Sequence, residues 1–133
     1  MSMQDSTAIT IVRAHIHAWT HQDWETTREL LAPDVHAVVT TTQPMKATAE
    51  MTGVDAYMET KRKAAQLIDP GSVQEISAIG DESNAMMLIT FRIGLGPGGT
   101  MVTMARAILC SLDDHQKIKE ERDEYFILSS ERE

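Results

Sequence analysis

Apolar residues recur along this chain with two different periods, and the change from one to the other organises it. Over residues 8–19 a step of 100° per residue puts Ala8, Val12, Ile16 and Trp19 on one stripe, flanked by Ile9 and Ile11. This is the spacing of a helix packed on a core. His15 falls inside the stripe, whereas His17 and His21 fall on the opposite, solvated side. Asp23 caps a second helix, Trp24 to Leu31, whose Trp24, Thr27 and Leu31 share a face and which Pro33 stops. Residues 35–42 then alternate as a strand, with Ala37, Val39 and Thr41 on one face and His36, Val38 and Thr40 on the other. Residues 43–53 read as an irregular connection ending at Gly53. Helical spacing returns in Val54, Tyr57, Met58, Lys61, Ala65 and Ile68, and ends at Asp69-Pro70-Gly71.

Everything after Gly71 predicts an antiparallel meander. Strands near 72–80, 85–95, 100–112 and 117–128 are separated by the turn signals DESN, GPGG and DDHQ, and the closing SSERE reads as a frayed polar tail. The fold class is therefore α+β: a curved, mixed but mainly antiparallel sheet wrapped around three N-terminal helices. Two strands, AMMLITFRIGL and MVTMARAILCSL, are apolar on both faces, so both faces are expected to be covered. Helices cover one. A second copy is expected on the other, giving a homodimer through the outer sheet face.

Composition narrows the partners. The 133 residues suit one domain with a single core. A net charge of -8 argues against nucleic acid and anionic membrane surfaces as partners. Cys110 is the only cysteine, so no internal disulfide forms. The N-terminus shows no charged leader with an apolar run, and no stretch approaches the roughly 20 apolar residues of a membrane span, so a cytoplasmic protein is expected. Cys110 shares a strand face with Ile108 and Leu112 and is expected to be inert. The glycine-rich GLGPGG is a turn and not a phosphate loop, because no GK[ST] follows it. Only one of the three histidines of the first helix points inward, no metal-ligand spacing is read along the chain, and the nine methionines suit core and interface filling, so neither metal nor cofactor is expected.

The text IVRAHIHAWTHQDWETTRELLAPDV resembles the opening of the nuclear transport factor 2-like superfamily, with its helix, polar-Asp turn, short helix and "lapDv" leading into a strand. Gly53 before the third helix and KIKEERDEYF, similar to the family's final-strand pattern, extend the resemblance over nearly the whole chain. It implies a single SnoaL-like domain over residues 1–133 with a cone-shaped, cystatin-like roll and a pocket for a small molecule. Laid against the ketosteroid isomerases of that superfamily, His15 takes the place of an oxyanion-donating tyrosine, Val39 that of the general-base aspartate, and Ile108 that of a second, aspartate donor. Ile127 stands where the cyclase-like final strand often carries an aspartate. Two of three catalytic groups are thus absent, and ketosteroid isomerase chemistry is not expected.

The remaining polar residues keep a chemistry open. A tight hairpin centred on Asp114-His115 pairs residues whose numbers sum to 229, which sets Arg106 opposite Asp123, Glu121 opposite Ile108 and Tyr125 opposite Met104. Alternation puts Arg106, Glu121, Asp123 and Tyr125 on one sheet face, and the resemblance makes that face the pocket lining. Arg106 would polarise a carbonyl or epoxide while Asp123 or Glu121 moves a proton. The alternative is a cross-strand salt bridge that orients the last hairpin. His15 is either a pocket donor or a core histidine bonded to a neighbour. Lys61, near the centre of its helix's apolar face, either snorkels to water at the cone mouth or meets Asp123, Glu121 or an anionic ligand.

Two classes of function follow. One is a cofactor-independent acid-base enzyme of cyclase, isomerase or hydrolase type, with His15, Arg106, Asp123 and Glu121 as catalytic groups and Trp19, Val39, Tyr57, Lys61, Ile108 and Tyr125 around the ligand. The other is a non-catalytic protein that binds a small apolar ligand, or a dimerisation module if the cone is filled.

Overall fold

The computed structural model describes residues 5–41, 47–95 and 100–131. Helix α1 (Thr7–Thr20) starts where the Ser6 side chain accepts a hydrogen bond from Ile9 N, and α2 (Trp24–Glu29) starts where Asp23 accepts from Thr26 N. Such side-chain acceptors satisfy amide donors left over in a first helical turn. Strand β1 (Leu31–Thr41) follows directly, then β2 (Ala47–Thr52) and α3 (Val54–Ala65). Gly53 joins β2 to α3 at φ 91, a backbone conformation that favours glycine, while its N–H donates to Val35 O. Strands β3 (Gln74–Gly80), β4 (Asn84–Leu95), β5 (Thr100–Leu112) and β6 (Ile118–Glu131) complete the chain.

The six strands form one sheet in the order β2-β1-β6-β5-β4-β3. Only β1 and β6 run parallel; the other neighbours are antiparallel. The sheet is mixed, as its sequence predicts. The helices pack on one face, and α1 buries Ala8, Ile9, Val12, His15, Ile16 and Trp19 against it. Side chains of alternate strand positions, Met87, Ile89, Phe91, Ile108 and Cys110 among them, close the core from the sheet side.

Four expectations need correction. Part of the irregular connection, residues 47–52, is a strand: Ala47–Thr52 pairs with β1 from Thr41 to His36. Its sequence gives little sign of this, because only Met51 turns inward to the core. The second helix stops at Glu29, and Leu31 bridges to Ile118 as the start of β1. The tail is ordered further than expected, since Ser129, Ser130 and Glu131 pair with Thr103, Val102 and Met101. Thr42, residues 43–46 and the whole GPGG turn, residues 96–99, lie outside the described residues.

The fourth correction concerns the last hairpin. Arg106 pairs with Tyr125, Ile108 with Asp123, Cys110 with Glu121 and Met104 with Ile127. The cause is the turn. Asp113 N donates to Lys117 O, Asp113 Oδ1 accepts from the amides of His115 and Lys117, and Gln116 adopts φ 62. This longer loop and a bulge between Ser111 and Leu112 move the register by two residues. A slip of two preserves every side chain's face, so Arg106, Glu121, Asp123 and Tyr125 still point the same way.

Candidate functional site

Neighbouring strands and facing helices bring six polar side chains together inside the cone. β6 supplies Glu121 and Asp123, β5 supplies Arg106, α1 supplies His15, and α3 supplies Tyr57 and Lys61. All six are buried, none with more than 3% exposure. The Tyr57 hydroxyl donates to Glu121 Oε1 at 2.6 Å. With that proton committed, the Tyr57 oxygen accepts from His15 Nε2 at 2.7 Å, which assigns the proton of neutral His15 to Nε2. Lys61 Nζ lies 3.2 Å from Glu121 Oε2 and 3.6 Å from Asp123 Oδ2. The Arg106 guanidinium donates to Asp123 Oδ2 and stands 3.5 Å from Glu121 Oε2. Trp19 lies under both cations, 4.6 Å from Lys61 Nζ and 4.9 Å from the Arg106 guanidinium carbon, and the ring of Tyr125 lies 4.6 Å from that same carbon.

The two carboxylates are unequal. Burial alone opposes charge on either. At Glu121 that opposition is outweighed by Lys61 and by hydrogen bonds, which hold the group well below the usual carboxylate range. At Asp123 burial and the neighbouring negative charge of Glu121 win against Arg106 and Lys61, and its pKa is pushed up to about 7. Burial holds His15 below the ordinary imidazole value and lifts Tyr57 well above the ordinary phenol value, so both stay neutral near pH 7. Four buried atoms of the network lack a hydrogen-bond partner: His15 Nδ1, Arg106 Nε, Arg106 Nη1 and Asp123 Oδ1. Buried polar atoms are ordinarily paired, so these are open valences toward water or a ligand.

An apolar pocket of about 170 Å³ adjoins the network. Leu67, Ile68, Phe91, Ile93 and Met104 line it, together with the Tyr125 ring that supports Arg106. Tyr125 is thus shared between pocket and ion network.

Every residue singled out from the sequence can be placed. His15, Trp19, Tyr57, Lys61, Arg106, Glu121 and Asp123 form one connected set, and Tyr125 borders it. Lys61 does not snorkel: at 2% exposure it sits between the two carboxylates. His36 lies on the outer face, bonded to Glu50 at 2.9 Å. Val39 and Ile108 are the β1 and β5 partners of Asp123, so the three form one row across the sheet. Of the pocket wall, sequence reasoning placed only Tyr125 around a ligand: it missed Leu67, Ile68, Phe91, Ile93 and Met104, and Val39 and Ile108, which it did place there, are not part of the wall. Leu67 is half exposed beyond the last turn of α3, and only its partnership through Gly94 N, which donates to Leu67 O, brings it to the mouth.

The profile of the SnoaL-like domain matches residues 12–121, and the chain belongs to that family. Solved structures agree on the fold. A protein with a ketosteroid isomerase-like fold from Catenulispora acidiphila, solved with trimethylamine, superposes with a TM-score of 0.68 at 22% identity, covering 90% of this chain and 86% of that one. An LEH-like epoxide hydrolase from M. tuberculosis gives 0.67 at 19%, covering 90% and 83%. A nuclear transport factor 2-like protein from Burkholderia xenovorans gives 0.68 at 13%, covering 94% and 93%. No match is found among curated protein sequences.

Proposed function

We propose that this SnoaL-like protein is a cofactor-independent acid-base enzyme acting on a small, mostly apolar molecule that carries a carbonyl or epoxide oxygen. One observation carries the reading: a carboxyl group with a pKa of about 7 and a free oxygen, Asp123 Oδ1, lies in the same buried cluster as two free guanidinium donors, Arg106 Nε and Nη1. Pairs of acids whose environments push their affinities for protons apart divide the labour of catalysis. Glu121 is the permanent counter-charge, held ionised by Lys61. Asp123 is the group that exchanges a proton near neutrality. Arg106 donates to the substrate oxygen as negative charge grows there, and the substrate body fills the apolar pocket beyond Tyr125.

The row Val39–Asp123–Ile108 supports the same assignment. The resemblance to ketosteroid isomerases puts catalytic aspartates at the Val39 and Ile108 positions, and here the strand between them carries the acid instead. Adjacent strands lie about 4.8 Å apart, so a carboxylate moved one strand sideways still faces the same space. An apolar cavity of about 150 Å³ holds a benzene-sized molecule. The pocket volume therefore favours a monocyclic or short-chain substrate over a steroid.

The test is turnover of a panel of small ketones and epoxides by the wild type and by Asp123→Asn, with thermal melting to establish folding. Loss of turnover in a folded variant is expected; unchanged turnover removes Asp123 as the base. A second reading, a non-catalytic binding protein for a small apolar ligand, draws support from the pocket wall, which holds no charged side chain. It predicts that hydrophobic ligands raise the melting temperature of wild type and Asp123→Asn equally and are recovered unconverted.

We also propose a homodimer through the outer sheet face, where Met86, Leu109, Phe126 and Leu128 are 39–58% exposed. Sedimentation at micromolar concentration should show a dimer, and only monomer would refute it. A cytoplasmic setting fits the single, buried Cys110. Among the described residues no helix is long and apolar enough to cross a membrane.

A further inference from the structure

The exposed side of α1 carries a histidine pair that the buried network does not use. His17 and His21 stand one turn apart in the sequence His-Ala-Trp-Thr-His, and their rings stack with centroids 4.1 Å apart and planes at 27°. Both line a cleft of about 170 Å³ between α1 and the β3–β4 hairpin, whose apolar wall includes Ile16, Met87 and Ile89. The expectation of no metal-ligand spacing is corrected here, because His17 and His21 are an H-x-x-x-H pair. His15 does point away, but the other two share a face.

The hydrogen bonding of His21 fixes which nitrogen is free. Its Nδ1 lies 2.9 Å from the His17 carbonyl oxygen, which can only accept, so Nδ1 carries a proton and donates. In the neutral ring Nε2 then keeps its lone pair. Donation of the second ring N–H to a carbonyl is the arrangement that orients metal-bound histidines and sets their tautomer. The His17 ring is exposed and takes part in no hydrogen bond among the described residues, so it is free to turn toward the same point. The chain's net charge of -8 draws cations to the surface.

We propose that His17 and His21 form a two-imidazole site for a divalent transition-metal ion, Cu²⁺, Ni²⁺ or Zn²⁺, at the lip of the α1–β3/β4 cleft. Neutral imidazole is a suitable ligand for these ions, and Cu²⁺ binds tightest in the usual order. Among the described residues no third histidine, cysteine or carboxylate completes a group of three. Water, or a donor atom of a small molecule in the cleft, fills the remaining positions.

Titration calorimetry of the full chain with CuCl2, NiCl2 and ZnCl2, with electron paramagnetic resonance of the copper form, tests this. The expected result is one ion per chain, bound most tightly as Cu²⁺, with nitrogen couplings from two imidazoles. His17→Ala and His21→Ala should each abolish stoichiometric binding without lowering the metal-free melting temperature appreciably, since both side chains are exposed. His36→Ala and His115→Ala should retain it. Stoichiometric binding that survives in His17→Ala or His21→Ala, is lost in His36→Ala or His115→Ala, or is absent from the wild type overturns the proposal.

Discussion

The two faces of β6 carry nearly the same residue types and meet opposite fates. Glu121, Asp123 and Tyr125 turn inward, where the two acids are all but inaccessible, while Glu120, Arg122 and Glu124 turn outward into water. Chemically these are the same acids on the same strand, one residue apart. What separates them is the strand's period of two. On the outer face a charge is screened and a substitution shifts little; on the inner face each charge survives only because an opposite one lies within 4 Å. A count of acidic residues says nothing about which of them can do chemistry, but their parity along the strand does.

The largest effect should come from breaking the inner face's charge balance. Arg106→Met leaves Glu121 and Asp123 with Lys61 as their nearby cation, and removing one partner of a buried ion network typically costs about 3–5 kcal/mol. Urea denaturation should show a loss of that order, against about 0.5 kcal/mol or less for Arg122→Met on the outer face. Equal losses would mean that the inner ions are solvated after all.

Next in size is a pH effect. A carboxyl group whose folded pKa is raised to about 7 binds its proton more tightly in the folded chain than in the unfolded one. Its contribution is therefore most favourable in acid and declines as pH rises from about 4 to about 7. Asp123→Asn should remove that decline from the stability profile, while any activity of the wild type should rise with an inflection near pH 7. Glu121 works in the opposite sense, because its folded pKa is depressed: its stabilisation is full at neutral pH and is lost only as acid protonates it. Glu121→Gln sharpens the contrast further. Without the Glu121 charge, Asp123 should ionise at lower pH, a shift readable by carboxyl-carbon NMR.

The smallest effect belongs to the outer face. Glu50, followed by Glu120, raises the pKa of His36. The pair therefore stabilises the fold below the ordinary imidazole pKa and fades as pH climbs through the raised one. His36→Asn should change the melting temperature least of these variants, and only in acid.

Much of this contrast was legible in the sequence. The alternation in KIKEERDEYF and in MVTMARAILCSL put Arg106, Glu121, Asp123 and Tyr125 on one face, and the apolar stripe of α1 pointed His15 at them. The pairing across the hairpin was not legible, because it depends on Gln116 taking a positive φ that nothing in DDHQ announces. The inequality of the two carboxylates was equally hidden. It arises from Lys61, which reaches Glu121 from a helix some sixty residues away in the chain, with Asp123 and His15 adding hydrogen bonds that hold Glu121 ionised. The edge strand β2 escaped notice because four of its residues face solvent before Met51 turns inward.

Trp19 gives this interior an optical readout of its own. Its indole lies within 5 Å of both buried cations, whereas the chain's other tryptophan, Trp24, is half-buried with Arg62 5.4 Å away. When Asp123 gains or loses its proton, the electric field across the Trp19 ring changes, because the cations beside that ring also contact Asp123. The emission of one tryptophan, with Trp24→Phe to silence the other, becomes a direct meter of how many charges the core holds.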